Sequence, residues 1–281
     1  MTTYRYRNHL TIGLPLLNEE KNIEKTLFEI FNQNFKNFIL IISDNKSNDK
    51  TFHICKKWAR KKKNIKFYRQ KKRLNINENF YFIYSKVQTH FFMWAAADDV
   101  RSRDYIETNI NFLKKNPSFS ASGSKNYVEY NKFKQKNLVK FDARGSKSKR
   151  YLTFLRNCFI SHGLFYSIFR KINLKKTKKF LNYMAWDWIV IMTILQNGKF
   201  NRSNKGHLIS SWGGVSTQKN YTYINKDPLL YKVFPFARFM RVYFIFLKES
   251  NYTLHDYFLS INLFIKIHIN HAKKFIKKVF N

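Results

Sequence analysis

Cysteine, proline and glycine are all scarce in this sequence. The chain has 281 residues, of which 2 are cysteines, 4 are prolines and 8 are glycines. Cys55 and Cys158 form neither a metal-binding spacing nor a disulfide framework, so we expect a reducing compartment and a cytoplasmic location. The small number of prolines and glycines argues against long disordered linkers.

Long apolar runs are also lacking. A membrane-spanning helix needs about 18 or more apolar residues in succession, and the best candidate, Val233 to Leu247, is interrupted by Arg238 and Arg241. The segment Met1 to His9 carries two arginines and lacks the apolar core of a signal peptide. We therefore expect a protein that is soluble or bound peripherally to a membrane.

Acidic residues are few. The chain has 17 Asp and Glu against 53 Lys and Arg, and its formal net charge is +36. Such a charge attracts polyanions, namely nucleic acid, anionic lipid or phosphorylated substrates. Lysine is spread along the whole chain, however, so a general lysine-rich composition explains the charge equally well. A basic nucleic-acid-binding protein is one alternative, but no nucleic-acid motif is recognisable and no specific nucleic-acid partner is expected.

The first half of the chain alternates between strand and helix patterns. Four short apolar runs are typical of buried strands: Leu10–Leu14, Phe38–Ser43, Ile65–Tyr68 and His90–Trp94. Helical spacing follows these runs. This order predicts an α/β fold with a mostly parallel sheet flanked by helices, in which ligands bind beyond the carboxyl ends of the strands.

The second half is less regular. Lys132–Arg150 is basic and polar and is predicted to be a loop, whereas Tyr183–Gln196 has helical spacing. The chain reads as helical again from Leu229 onward. The sequence therefore predicts a helical region at its carboxyl-terminal end.

Polar side chains follow the predicted strands of the first half. Asn18 and Glu19 come after the first strand, Asp44 after the second, and Asp98 with Asp99 after the run that ends at Trp94. The carboxyl ends of parallel strands meet at one edge of a sheet, so we expect these side chains to lie near one another. In a chain this basic, carboxylates gathered at one edge indicate a functional site.

Four segments carry polar motifs of this kind in sequence order: Ile12–Glu20, Ile41–Thr51, Arg73–Phe80 and Met93–Val100. In order and spacing they resemble the motifs of family-two glycosyltransferases, which are inverting enzymes with a GT-A fold. The resemblance implies transfer of a sugar from a nucleotide-diphosphate sugar, of UDP or dTDP type, to an acceptor hydroxyl. It implies a glycan or lipid-linked acceptor in cell-envelope polysaccharide or glycolipid synthesis.

The resemblance also divides the chain. Residues 1–225 form the expected GT-A domain, with a nucleotide-sugar-binding half at 1–125 and an acceptor-binding half at 126–225. Residues 226–281 form the expected C-terminal helical, basic amphipathic region.

Donor binding is assigned by the resemblance to residues of the first half: Pro15, Leu17, Asn18, Glu19, Asp44, Arg73, Asn79 and Asp98. Asp44 matches the family's carboxylate that accepts a hydrogen bond from the nucleobase, and a carboxylate can accept an imide N–H of uracil or thymine. The alternative is that Asp44 only caps the turn that follows it.

A metal site is implied at the end of the fourth motif. Asp98 matches the second Asp of the family's Asp-x-Asp motif, which implies Mn²⁺ or Mg²⁺ bound by Asp98, and the adjacent Asp99 is a further candidate ligand. Such a metal neutralises the diphosphate as its bond to the sugar breaks. Ala96 replaces the first Asp, so a catalytically degenerate nucleotide-sugar-binding module is an alternative, and Asp99 could simply cap the next helix.

Asp187 occupies the place of the family's general base, which takes a proton from the acceptor hydroxyl. The alternative is an ordinary acidic residue at a helix N-terminus. Trp186 and Trp188 flank Asp187 and are predicted to stack on the acceptor. His162 and Trp212 lie in two further segments that resemble acceptor-side features, although His162 could equally be structural.

The last part of the chain has an amphipathic pattern. Its apolar residues at helical spacing are Phe258, Ile261, Ile265, Ile269, Ala272, Ile276 and Val279, and the lysines that lie off this stripe are Lys273, Lys274, Lys277 and Lys278. A basic amphipathic helix can lie on an anionic membrane surface. The alternative is that the stripe packs on the catalytic domain, which Leu263 and Ile267 on another face slightly favour.

Overall fold

A computed structural model describes residues 9–130, 134–138, 141–160, 162–211, 231 and 234–279. Its nine strands are, in chain order, β1 (Leu10–Leu16), β2 (Phe38–Asp44), β3 (Ile65–Arg69), β4 (Phe91–Trp94), β5 (Val100–Arg101), β6 (Phe119–Tyr130), β7 (Lys134–Leu138), β8 (Ile168–Arg170) and β9 (Lys199–Ser211).

The helices surround this sheet. They are α1 (Ile23–Phe31), α2 (Thr51–Lys61), α3 (Ile76–Ser85), α4 (Tyr105–Lys115), α5 (Lys147–Arg156), α6 (His162–Phe165), α7 (Trp186–Asn197), α8 (Ala237–Lys248) and α9 (Leu254–Val279). Short 3₁₀ turns lie at Cys158–Ile160 and Lys175–Phe180.

All the strands belong to one mixed sheet. Its order is β3-β2-β1-β4-β8-β6-β9-β5, with β7 paired to β6. The strands β3, β2, β1 and β4 are parallel, and β6 is parallel to β9. The remaining pairs are antiparallel. The predicted α/β fold with flanking helices is confirmed, and the first half of the chain supplies the four parallel strands β1, β2, β3 and β4.

The parallel strands form the centre of the core. β1 and β2 are buried along almost their whole length, as expected for strands in the middle of a parallel sheet. A Cβ atom added at Gly13 would lie 2.6 Å from Ile83 Cγ2 of α3 and 2.9 Å from Phe92 Cζ of β4. Gly13 therefore allows α3 to pack directly on β1.

The prediction of a loop at Lys132–Arg150 was wrong in part. The structure has β7 inside this segment, and α5 begins at Lys147 with Ser146 as its N-cap. Ser146 Oγ accepts a hydrogen bond from the Lys149 N–H at 3.3 Å. Basic and polar residues hide both elements in the sequence, because neither a charged edge strand nor a helix start has continuous apolar spacing.

The long strands β6 and β9 were not predicted. The inward-facing residues Ser122, Ser124 and Asn126 of β6 are polar yet buried. Asn109 of α4 accepts a hydrogen bond from Ser122 Oγ at 2.7 Å and donates one to Ser124 Oγ at 2.8 Å. These buried polar residues replace the apolar alternation by which strands are predicted.

The C-terminal region is helical, as predicted. α8 packs against α7 and α5, and α9 packs against α5. Within the described residues, no helix is both long enough and apolar enough to span a bilayer. β6 crosses the division predicted at 125/126, so one sheet serves both halves, and the boundary predicted at 225 lies outside the described residues.

Candidate active site

The first two strand-ending turns are tied together. The Asn18 N–H donates to Ser47 Oγ at 2.9 Å, and Asn18 Oδ1 accepts from the Asn48 N–H at 3.0 Å. The Glu19 N–H donates to Thr51 Oγ1 at 2.7 Å. Asn18 has a positive φ of 57°, a conformation that asparagine tolerates better than most residues. The predicted donor residues of the two turns therefore form one rigid edge.

Pro15 and Leu17 lie at the end of this edge. β4 pairs with β1 only as far as Gly13, so Pro15 lies where one side of β1 has no strand partner. A proline is tolerated at such a position because no ladder hydrogen bond is lost there. Both residues are only partly buried, so donor contact by Pro15 and Leu17 remains a prediction.

Asp44 ends β2 with a fully buried carboxylate. Its Oδ1 accepts a hydrogen bond from the Ser47 N–H at 3.0 Å, which is the turn-capping arrangement considered as the alternative. Its Oδ2 lies 3.5 Å from Arg69 Nε and accepts no hydrogen bond from the described residues. One carboxylate oxygen thus holds the turn, and the other keeps acceptor capacity for a ligand N–H.

Arg69 is a residue of this edge that the motifs did not indicate. Its guanidinium lies 4.2 Å from the centroid of the Phe52 ring, and its Nη2 donates to the Ser47 carbonyl at 3.1 Å. These contacts fix the guanidinium beside Asp44. Its place at the end of β3 was the available signal, since β3 ends at the same edge of the sheet as β2.

The third motif, Arg73–Phe80, is held in place by hydrogen bonds of its asparagines. Asn79 is buried, and its Oδ1 accepts a hydrogen bond from Ser43 Oγ at 2.6 Å. Asn75 caps α3 by accepting from the Glu78 N–H at 2.8 Å. Arg73 is exposed beside this cap. The structure therefore gives Asn79 a positioning role beneath the edge, while Arg73 keeps its predicted exposure to a donor.

Asp98 and Asp99 differ in environment. Asp99 is buried, and its Oδ2 lies 3.5 Å from Nη2 of the equally buried Arg101. Asp98 is partly exposed. Burial raises the pKa of Glu19, and the charges of Asp98 and Asp49 raise it further. Glu19 and Asp98 therefore lie close enough for their charges to interact.

These observations test the fit of a metal ion. The described part of the chain contains no group of three or more His, Cys, Asp or Glu side chains arranged to hold a metal. Asp98 fits a site completed by substrate oxygens, since Mg²⁺ commonly binds one or two carboxylates together with phosphates. Asp99 fits poorly because Arg101 already neutralises it, so we leave Asp99 out of the candidate ligands.

Asp187 lies in the first turn of α7. Burial raises the pKa of its carboxyl group to about 6, although hydrogen bonds from the N–H groups of Trp188 and of Asp187 itself oppose the shift. A carboxylate with this pKa is ionised at neutral pH and is still basic enough to accept a proton during a reaction.

Trp186 and Trp188 require a correction. Trp186 is 1% exposed, and its Nε1 donates to the Thr177 carbonyl at 3.3 Å. Trp188 is 7% exposed and stacks on Phe236, with 4.9 Å between the ring centroids and 5° between the planes. Both rings are packed in the core, so neither presents a face on which an acceptor sugar could stack.

Tyr166 connects the two ends of the site. Burial raises the pKa of its hydroxyl well above the usual value, and the carboxylates of Asp99, Asp98 and Asp187 raise it further. The three carboxylates therefore all lie near enough to Tyr166 for their charges to act on its hydroxyl. This role of Tyr166 was not predicted from the sequence.

A second connection joins α3 to the segment before α7. Asn77 Nδ2 donates to the backbone carbonyls of Leu181 at 2.8 Å and Tyr183 at 3.1 Å. Asn75 Nδ2 donates to Asn182 Oδ1 at 3.1 Å. The third motif is thus linked directly to the segment that leads into α7, the helix that carries Asp187.

Two predicted acceptor residues, His162 and Trp212, have no described side chain. His162 begins α6, and only its backbone position is described. Trp212 lies outside the described residues. Their acceptor contacts remain predictions.

The sequence model of one protein family, described as glycosyl transferase family 2, matches residues 11–176. This span is more than half of the chain's 281 residues. The chain belongs to glycosyl transferase family 2. The resemblance inferred from the four motifs is therefore confirmed.

One characterised relative is from Methanococcus voltae and is named dolichyl N-acetyl-alpha-D-glucosaminyl phosphate 3-beta-D-2,3-diacetamido-2,3-dideoxy-beta-D-glucuronosyltransferase. It is 34% identical over 110 residues, which is 37% of this chain and 33% of the relative. The chain thus matches about a third of that protein.

Two solved structures share the fold. Staphylococcus aureus TarS 1-349 in complex with UDP-GlcNAc has a TM-score of 0.69 at 16% identity, covering 95% of this chain and 74% of TarS. The mannosyltransferase PcManGT from Pyrobaculum calidifontis, in complex with GDP-Man and Mn²⁺, has a TM-score of 0.56 at 14% identity, covering 92% of this family 2 chain and 69% of PcManGT. At such identities the likeness shows the GT-A fold.

Proposed function

We propose that this protein is an inverting, metal-dependent glycosyltransferase that moves a sugar from a UDP- or dTDP-type donor to a hydroxyl of a glycan or lipid-linked acceptor. The observation that carries the proposal is that the donor edge and the start of α7 are joined, with Asn77 of α3 bonded to the segment before α7 and the charges of Asp98 and Asp187 both acting on Tyr166, while the pKa of Asp187 is raised to about 6. A donor-side carboxylate and a carboxylate tuned as a base are the two groups that direct displacement requires.

The nucleobase end of the donor is assigned to Asp44. Its Oδ2, buried beside Arg69, accepts a hydrogen bond from the imide N–H of uracil or thymine. A hydrogen bond to a carboxylate oxygen is stronger than one to a neutral acceptor. Guanine offers a different pattern of donors and is expected to bind less well.

The diphosphate end is assigned to Asp98 with Mn²⁺ or Mg²⁺. The metal supplies positive charge that stabilises the leaving nucleoside diphosphate. Asp98 holds the ion, and the turn that carries Asn18 and Glu19 closes the edge beside it. The Mn²⁺ in the PcManGT complex supports this assignment.

The acceptor end is assigned to Asp187. Its carboxylate takes the proton from the acceptor hydroxyl while the hydroxyl oxygen attacks the anomeric carbon from the side opposite the diphosphate. The anomeric configuration is therefore inverted. The position of Asp187 at the start of α7, held next to α3 through Asn77, keeps the base at a fixed distance from the donor edge.

The cellular role is proposed from the relatives and the surface. The name of the M. voltae relative describes a transferase that acts on a dolichyl phosphate-linked sugar. This supports a lipid-linked acceptor in cell-envelope glycan or glycolipid synthesis. We further propose that the protein works in the cytoplasm, peripherally on an anionic membrane surface.

A thermal-shift panel tests this function. Full-length protein is heated with UDP-, dTDP- and GDP-sugars, each with and without Mn²⁺, because a bound donor raises the melting temperature by mass action. A shift with a uracil or thymine donor, enlarged by Mn²⁺, is expected. Equal shifts with the GDP-sugar would refute the base assignment.

The second candidate function is a catalytically degenerate nucleotide-sugar-binding module, which the replacement of the first motif Asp by Ala96 suggests. Donor hydrolysis tests for it. Metal-stimulated release of the nucleoside diphosphate by the wild-type protein is expected. Donor binding without any turnover would favour the non-catalytic module instead.

A further inference from the structure

The helix α9 has two apolar faces, of which one is buried and the other is exposed. On one face, Phe264 is 1% exposed and Ile267 is 6% exposed. The ring centroid of Phe264 lies 5.2 Å from that of Tyr243 and 6.0 Å from that of Phe239, both on α8. This face anchors α9 to the rest of the protein.

The other face is open. Its large apolar side chains are Leu254, which is 75% exposed, Phe258 at 60%, Ile265 at 50% and Ile269 at 47%. Ile261, which is half-buried, lies in the same row. These five residues, which we call the α9 stripe, lie on one side of the helix because an α-helix turns by about 100° per residue. The stripe extends for roughly 20 Å along the helix.

The apolar row that the sequence analysis left between two alternatives is therefore open at the residues whose side chains the structure describes, Phe258, Ile261, Ile265 and Ile269. Burial uses the face with Leu263, Phe264 and Ile267 instead. An apolar row of this length on a protein surface is typical of a docking surface.

Exposed aromatic rings continue the apolar surface toward α7. The Phe234 ring is 41% exposed and lies 5.6 Å from the His268 ring of α9. The Phe159 ring is 60% exposed, 5.6 Å from Phe236 and 5.4 Å from Trp188. Trp188 follows the proposed base in sequence. The open apolar surface thus runs from α9 to the first turn of α7, and the charge of Asp187 in that turn acts on Cys158, the neighbour of Phe159.

Charge decides which partner fits this surface. Lys266 is exposed beside the stripe, and the helix continues through Lys273, Lys274, Lys277 and Lys278. The formal net charge of +36 repels a second copy of the chain. An anionic lipid surface complements both features, since it accepts apolar side chains between its headgroups and attracts lysine.

We propose that the α9 stripe docks the protein in the plane of an anionic phospholipid bilayer, with Phe234 and Phe159 turned to the same surface. The docking itself is independent of catalysis. Its consequence rests on the proposed function: Asp187 receives an acceptor whose hydroxyl is held at the bilayer surface, so the acceptor is a lipid-linked glycan rather than a free sugar.

Vesicle flotation of the full-length protein tests the docking. The vesicles are phosphatidylcholine alone, or phosphatidylcholine with about 30 mol% phosphatidylglycerol, at about 0.05 M and about 0.5 M salt. The double variant Phe258→Gln/Ile265→Gln removes the centre of the stripe. Phe28→Gln is the matched control, because Phe28 is 63% exposed on α1, apart from α9.

Wild-type protein and Phe28→Gln are expected to float with the anionic vesicles and to bind at least about tenfold more weakly to phosphatidylcholine alone. The stripe variant is expected to lose about tenfold or more in partitioning at both salt concentrations. Wild-type protein that stays unbound at low salt would overturn the proposal, as would a stripe variant that floats like wild type.

Two further measurements keep the outcomes distinct. Light scattering of wild type and stripe variant shows whether the stripe joins two copies, and a dimer that only the wild type forms would overturn the membrane assignment. Donor thermal shifts are expected to be the same for both proteins. Failure of flotation with normal donor binding refutes the docking alone, whereas absent donor binding refutes the proposed function.

Discussion

Asn45 and Leu74 pair through two reciprocal hydrogen bonds. Asn45 Nδ2 donates to the Leu74 carbonyl at 2.9 Å, and the Leu74 N–H donates to Asn45 Oδ1 at 2.8 Å. Asn45 follows the proposed base-reading Asp44, and Leu74 follows the exposed Arg73. One buried side chain therefore sets the position of the segment that approaches the donor.

Asn45→Ala removes both bonds and leaves two backbone groups of Leu74 unpaired. We expect a loss of about 1–3 kcal/mol in the free energy of unfolding and weaker donor binding, measured by denaturation and donor titration. Asn64→Ala is the control, because Asn64 Nδ2 makes one comparable bond, to the Phe38 carbonyl at 3.2 Å, at the start of β2. Equal loss of donor affinity in both variants would contradict the positioning role of Asn45.

The parallel half of the fold could be predicted from the sequence for a physical reason. β1, β2 and β4 are buried strands that read as short apolar runs, and their ends coincide with polar turns. β6 could not be predicted in the same way, because its inward residues are serines and an asparagine. Their partners lie on other elements: Asn109 of α4 for Ser122 and Ser124, and Ser210 of β9 for Asn126.

The candidate site likewise has a part that local sequence patterns predict and a part that contacts with distant residues decide. The motifs correctly indicated the edge at Asn18, Glu19 and Asp44, since local turns determine it. They could not show that Trp186 and Trp188 are core residues, because α7 is buried on nearly all sides and has no polar face to orient the prediction. The ring that covers Trp188, that of Phe236, comes from a distant part of the chain.

The metal role of Asp98 predicts a conditional effect on donor affinity. Asp98→Ala should weaken donor binding by about tenfold or more when Mn²⁺ is present and change it little in excess chelator. Isothermal titration with a UDP-sugar in both buffers measures this. Glu107→Ala, which removes an exposed carboxylate of α4, controls for the change in net charge. Equal affinities of wild type and Asp98→Ala in Mn²⁺ would exclude the assignment.

A side chain at position 198 should destabilise the fold without changing the catalytic groups. A Cβ atom at this position would lie 2.7 Å from the backbone N of Ser120 and 2.9 Å from the backbone O of Ser118. Backbone atoms cannot move aside as a flexible side chain can, so Gly198→Ala should destabilise the fold by about 1–3 kcal/mol. Thermal and urea unfolding measure the loss. An unchanged melting temperature would show that β9 does not approach β6 this closely.

Asp187→Asn tests the proposed base and separates chemistry from folding. Asparagine keeps the size of the side chain but cannot take a proton, so kcat should fall by about 100-fold or more with donor affinity nearly unchanged. In the wild type, the pKa of about 6 predicts that kcat/KM falls as the pH drops below 6. Asp142→Asn is a matched control, because Asp142 already pairs with Arg144 at 2.6 Å and should keep its rate.

Asp187→Asn should lower the rate of catalysis, but it should not lower the stability of the fold at neutral pH. Burial raises the pKa of Asp187 above its unfolded value, so the folded state binds the proton more tightly than the unfolded state does. The contribution of Asp187 to stability is therefore present in acid and is lost as the pH rises through about 6. Relative to Asp187→Asn, wild-type protein should gain stability as the pH falls from about 6 toward about 4, whereas at neutral pH the variant should be at least as stable as wild type. A variant that folds this well and still turns over at the wild-type rate would refute the assignment of the base.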